Sequence, residues 1–173
     1  MFPNKSPDYI INHAELYKKY GLLRWEDGKD HALPQDYADM LGWKELAQKV
    51  DSIYTTLPAV GRTLILCDNY GEAGAINYYT KNKKVTALSF NADYINWFNL
   101  DKKYTNLIRV KNVESETDEL KETSPFFTKS YIGGAITNTF SREFRTTIFV
   151  FEKNKININS RIKKEIDREK NYD

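Results

Sequence analysis

Asn69-Tyr70-Gly71-Glu72-Ala73-Gly74 is the stretch whose residue types and spacing could do chemistry. It follows the apolar run from Thr63 to Asp68 and opens a segment, Gly71 to Thr80, that reads as helix. A loop between a strand and a helix N-terminus offers free backbone N–H groups and partial positive charge, which favour anions. In open α/β sheets ligands bind along that carboxyl edge. Gly71 lets the backbone turn and approach closely. Asn69, Tyr70, Gly71 and Glu72 are therefore candidate ligand contacts. The same residues also suit a purely structural role. Asn69 is a preferred N-cap, and Glu72 in the first helical turn gains about 0.3–1 kcal/mol from the helix dipole. A carboxylate there would repel an anionic ligand. Neither the GxGxxG dinucleotide fingerprint nor the GxxxxGK[ST] phosphate loop is present.

A second cluster is Gln35, Asp36, Asp39 and Trp43. Acids beside a tryptophan could bind sugar hydroxyls, with Gln35 and Asp39 the candidate contacts, or Asp39 could simply lead into the helix at Trp43. As a catalytic acid pair, Asp36 and Asp39 lack the apolar surroundings that would raise one pKa. His13 and His31 adjoin no nucleophile motif. No metal site can be built from the lone Cys67 and these two scattered histidines. Cys67 lies in the run Leu64-Ile65-Leu66-Cys67 and reads as an inert core thiol.

The elements that must position these residues are legible in the hydrophobic pattern. Apolar residues at Trp43, Leu46, Ala47, Val50, Ile53, Tyr54 and Leu57 give one face of a helix, which Pro58 and Gly61 stop. Thr63 to Asp68 reads as a strand covered on both faces. Val85 to Phe90 and Thr105 to Val110 read as further strands, with one helical turn near Asp93 to Phe98 between them. Glu114 to Thr123 is a surface helix or a loop. Ile132 to Phe140 and Thr146 to Phe151 read as late strands. Residues 1–32 form a polar lead-in with a short helix within Asp8 to Tyr20, and 33–152 carry the domain. Residues 153–173 form a charged, solvated tail that Ser160 could cap as a short helix. The expected fold class is α/β, a layered, Rossmann-like sandwich with a mostly parallel sheet and late antiparallel edge strands.

Net charge is +2 over 173 residues, which removes the electrostatic case for nucleic acid. No run approaches the ~18 apolar residues of a spanning helix. No leader sequence is read behind Met1-Phe2-Pro3. Twelve tyrosines invite sugar or partner binding, though tyrosine also packs well in sheets.

Two ordered blocks carry a resemblance. Leu33-Pro34-Gln35, Tyr37-Ala38-Asp39 and Gly42-Trp43 match LPQ-x-[FY]-AD-x-x-GW, and Asn69 through Ala75 match NYGEAGA. The chain thereby resembles the C-terminal soluble region of GT-C-type membrane glycosyltransferases. These are relatives of the dolichyl-phosphate-mannose protein mannosyltransferases and the lipid A aminoarabinose transferases. Ala87-Leu88-Ser89-Phe90-Asn91, with Tyr94 and Trp97, is similar to a Ser-Gly-His-Asn stretch in which Phe90 replaces Gly-His, so that histidine's role has no counterpart. The likeness covers about Leu33 to Phe151.

The resemblance implies an extracytoplasmic, periplasm-facing domain whose partner is the membrane-embedded part of the same polypeptide. The parent enzyme would move a sugar from a polyprenyl-phosphate donor to a lipid, glycan or protein acceptor. The family's catalytic acids lie in an early extracytoplasmic loop between membrane helices, which this chain lacks. It therefore implies no catalytic residue and no cofactor here, with Asn91 joining the candidate headgroup contacts. A structural domain bracing the membrane bundle or a partner protein, and a freestanding α/β enzyme acting on a small molecule, are the alternative readings.

Overall fold

A computed structural model describes residues 4–58 and 61–171. By contact the chain divides into two compact units. One runs up to Gly42 and regains Ile136–Phe144; the other comprises Trp43–Ala135 and Arg145 onward. Residues 33–42, expected at the head of the α/β domain, group with the first unit.

In the first unit, α1 (Pro7–Asn12) and α2 (Ala14–Lys19) replace the single helix expected within Asp8 to Tyr20. Ser6 caps α1, its Oγ accepting the Tyr9 N–H at 3.2 Å, and Pro7 sits where a missing N–H costs nothing. Ile10, Leu23 and Leu33 form a small core that Tyr17, Tyr37 and Phe140 flank. The short helix α3 (Gln35–Ala38) follows Pro34. Gly42 has φ +86°, and a Cβ there would lie 2.7 Å from Ser141 Oγ and 2.9 Å from the Ile136 side chain. Only glycine fits both the left-handed backbone and that approach.

The second unit begins with α4 (Trp43–Thr56), whose Leu46, Ala47 and Val50 are buried as the apolar spacing requires. Then come β1 (Arg62–Cys67), α5 (Tyr70–Tyr79), β2 (Ala87–Ser89) and a 3-10 turn at Ala92–Asn96. β3 (Tyr104–Lys111), α6 (Glu116–Thr123), β4 (Phe127–Ala135), β5 (Thr147–Asn154) and α7 (Ile158–Glu169) complete it. Among the described residues the strands form one open sheet in the order β2-β1-β3-β5-β4. β1 pairs parallel with both β2 and β3, whereas β5 pairs antiparallel with β3 and β4. The protein is thus mixed α/β, with its parallel pairings around β1 and its antiparallel pairings on the late-strand side.

The register separates two apolar faces. Leu64, Leu66, Leu88, Leu107, Phe149 and Phe151 share one, and Ile158 and Ile162 of α7 join their cluster. Each such side chain, fully buried, contributes about 1.5–3 kcal/mol. The tail expected to be a solvated appendage is therefore part of the core, and its cap is Asn157, whose Oδ1 accepts the Ser160 N–H. Ile65, Cys67, Ile108, Val110, Ile148 and Val150 point the other way. There α4 approaches at Gly133, where a Cβ would lie 2.6 Å from Ile53 and 2.9 Å from Val150. Gly133 sits at an irregularity in the β4 register, between Ile132 and Gly134. β4 begins five residues before the expected Ile132 and ends at Ala135, where the chain passes to the first unit.

Candidate functional site

The loop after β1 is built by reciprocal capping. Asn69 Oδ1 accepts the Glu72 N–H at 2.9 Å, and Glu72 Oε2 accepts the Asn69 N–H at 3.3 Å and the Asp68 N–H at 2.8 Å. Glu72 is completely buried. Its carboxylate is therefore turned inward to hold the loop, and the Asn69 side-chain oxygen is engaged by the Glu72 N–H. Both residues thus serve the capping role that the sequence also allowed them. Tyr70, between them, is 62% exposed.

β2 lies beside β1, with Cys67 level with Ser89, so the turns after the two strands share the carboxyl edge of the sheet. Asn91 is exposed in the second turn. Its N–H donates to Ser89 Oγ, and that hydroxyl donates to Asn91 Oδ1, both at 3.1 Å. Tyr94, from the following 3-10 turn, reaches back to α5: a Cβ on Gly74 would lie 3.5 Å from its Oη. On the other side of β1, Arg109 of β3 donates to Asp68 at 2.8 Å.

Along α5, residues of the helix together with Trp43 and Tyr94 line an open trough of about 470 Å³. Gly71 and Gly74 make its floor, and Trp43, Tyr70, Tyr78 and Tyr94 stand around it. Tyr78 is 81% exposed and meets Tyr79 edge-on at 4.8 Å; Trp97 is 56% exposed and lies 4.5 Å from Tyr94. The lining carries phenols and an indole but no carboxylate, imidazole or amine. It suits stacking and hydrogen bonding, not proton transfer. Tyr78 and Tyr79 escaped the reading of the sequence. The available signal was two adjacent aromatics at the end of a helix whose opposite side holds Ala73 and Ile76.

Gln35 and Asp39 belong to the other unit. The Glu26 N–H donates to Gln35 Oε1 at 2.9 Å, and Gln35 Nε2 donates to the Glu26 carboxylate. Arg142 lies 2.8 Å from Glu26 and 3.4 Å from Asp39. His13 and His31 are in this unit too, stacked on Tyr9 and Trp25.

Cys67 is buried next to Glu72, and burial first, then the Glu72 carboxylate, pushes its thiol well above 9.0. Among the described residues no cluster of three or more His, Cys, Asp or Glu is arranged to hold a metal, and no helix is long and apolar enough to cross a membrane. No protein-family model, curated protein or solved structure matches this chain.

Proposed function

We propose that this chain is the extracytoplasmic, non-catalytic domain of a membrane glycosyltransferase that draws sugar from a polyprenyl-phosphate donor. In this reading it is a layered, Rossmann-like domain that helps position the acceptor or the donor headgroup. The observation that carries the proposal is the aromatic trough on α5. A pyranose presents C–H faces that stack on exposed tyrosine and tryptophan rings, while its hydroxyls take hydrogen bonds from phenols. The glycine floor lets a ring approach the helix backbone. Tyr70, Tyr78 and Tyr94 make the contacts, Gly71 supplies floor, and Asn91 extends the edge. Asn69 and Glu72 act one step back, by fixing the loop from which Tyr70 projects.

The test is an amide-shift titration of the 173-residue chain with manno-oligosaccharides and with short prenyl-phosphate sugars. Saturable shifts at Gly71, Gly74 and Tyr78 are expected, lost in Tyr78→Ala without loss of stability. Silent amides at millimolar ligand would instead favour a domain that braces its membrane partner. Sugar transfer by the purified chain alone would overturn the non-catalytic assignment.

A further inference from the structure

The face of the sheet opposite α4 carries a second concavity, of about 320 Å³, that the trough does not use. Leu64, Leu66, Leu107 and Phe127 floor it, and α6 and α7 wall it. Its size lies at the lower end of the range for small-molecule sites, and its lining is apolar apart from the mouth. The charges at that mouth balance to within one negative charge. Arg109 is held by Asp68 at 2.8 Å, Glu119 by Lys111 at 3.2 Å, and Glu165 by Arg168, which Glu169 shares at 3.2 Å. What remains is one charge of each sign: Arg161, whose guanidinium lies 4.3 Å from the centre of the Phe126 ring, and Glu122 on the α6 wall. An anionic headgroup would find no surplus positive charge there and a cationic one a single solvent-screened negative charge, and either would add the cost of its own desolvation.

We propose that the groove between α6 and α7 binds a neutral apolar small molecule with an aliphatic or aromatic body, independently of the trough. α6 is the wall that adapts. It has no fully buried residue: Leu120 packs at the margin of the Phe149 and Phe151 cluster, and Lys111–Glu119 and the Thr147 hydroxyl on Glu116 tie it to the sheet.

The experiment uses N-phenyl-1-naphthylamine, a neutral probe that brightens in apolar surroundings, with the full chain. One-to-one saturable binding is expected, with methyl shifts at Leu66, Leu107 and Ile162 and none at Ala73 or Ala75. Thr123→Trp, at the rim and outside the core, should fill the mouth and weaken binding by at least about tenfold with little change in stability. Dodecanol should displace the probe better than dodecanoate or dodecylammonium. No saturable binding, binding with those methyls unmoved, binding untouched by Thr123→Trp, or preference for a charged amphiphile would each overturn the proposal. A failure in the trough titration would leave these signals unaffected.

Discussion

Asn69 and Glu72 cap each other: the Asn69 side chain accepts the Glu72 N–H at 2.9 Å, and the Glu72 carboxylate accepts the Asn69 N–H at 3.3 Å. Because Glu72 is also wholly buried, its removal breaks more than a surface contact. Glu72→Ala should cost about 0.5–2 kcal/mol, the loss of a cap, since the Asp68 N–H keeps Val110 O as an acceptor at 3.0 Å. Asn69→Ala should cost about 0.5–2 kcal/mol, and the two losses should not add, since each residue serves the other. Urea denaturation of the two single variants and the double variant measures this. A Glu72→Ala cost below about 0.5 kcal/mol would remove the capping account.

The C-terminal helix offers a sharper contrast. Ile162 is 4% exposed in the cluster with Phe149 and Phe151, whereas Lys163 beside it is exposed. Ile162→Ala should destabilise the protein by about 2–5 kcal/mol, and Lys163→Ala by less than about 0.5 kcal/mol. Equal effects in thermal or chemical unfolding would mean that α7 is the solvated tail its composition suggests.

The thiol of Cys67 should be silent in the native state. Burial and the neighbouring Glu72 carboxylate hold it protonated well above 9.0, and only a thiolate attacks a disulfide reagent. At pH 8 a chromogenic disulfide reagent should label the folded chain at the rate of global unfolding and the denatured chain at once. Rapid labelling of the folded chain would show that β1 opens locally.

Asp27 reports on the first unit under acid. The Lys29 backbone N–H, and then the His31 ring at 3.0 Å, hold its carboxyl below the ordinary 3.8. A depressed folded value means the stabilisation is complete above about pH 3.8 and is lost as pH falls through the lower folded value. An NMR titration of the Asp27 carboxyl carbon should show a midpoint under 3.8 that rises in His31→Ala. An unchanged midpoint in that variant would discard the His31 contribution.

Sequence made α4, β1, α5 and β3 legible because each buries a patterned or continuous apolar set. It also admitted capping at Asn69 and Glu72 as a structural role, which is the role the geometry assigns them. It misjudged α7, where two isoleucines among lysines and glutamates look solvated until Phe149 and Phe151 meet them from another part of the chain. β4 escaped because Thr128 and Lys129 are both exposed on this edge strand, so no apolar alternation marks its start, while Gly133 and Gly134 interrupt its pattern. The trough was unreadable because Trp43, Tyr78 and Tyr94 converge only once the parallel strands bring their loops to one edge.

The path between β4 and β5 has a consequence for how the chain is made. Ile136–Phe144 completes the N-terminal unit, with Ser141 Oγ donating to Leu41 O at 2.8 Å and the Arg142 N–H donating to Ala38 O at 3.2 Å. A ribosome delivers Leu41 about a hundred residues before its partner. The first residues synthesised must therefore wait, with Ile10, Leu23 and Leu33 incompletely covered, while most of the sheet emerges. For the same reason a single protease cut at the 42/43 boundary would not free either unit, because the polypeptide crosses between them twice more.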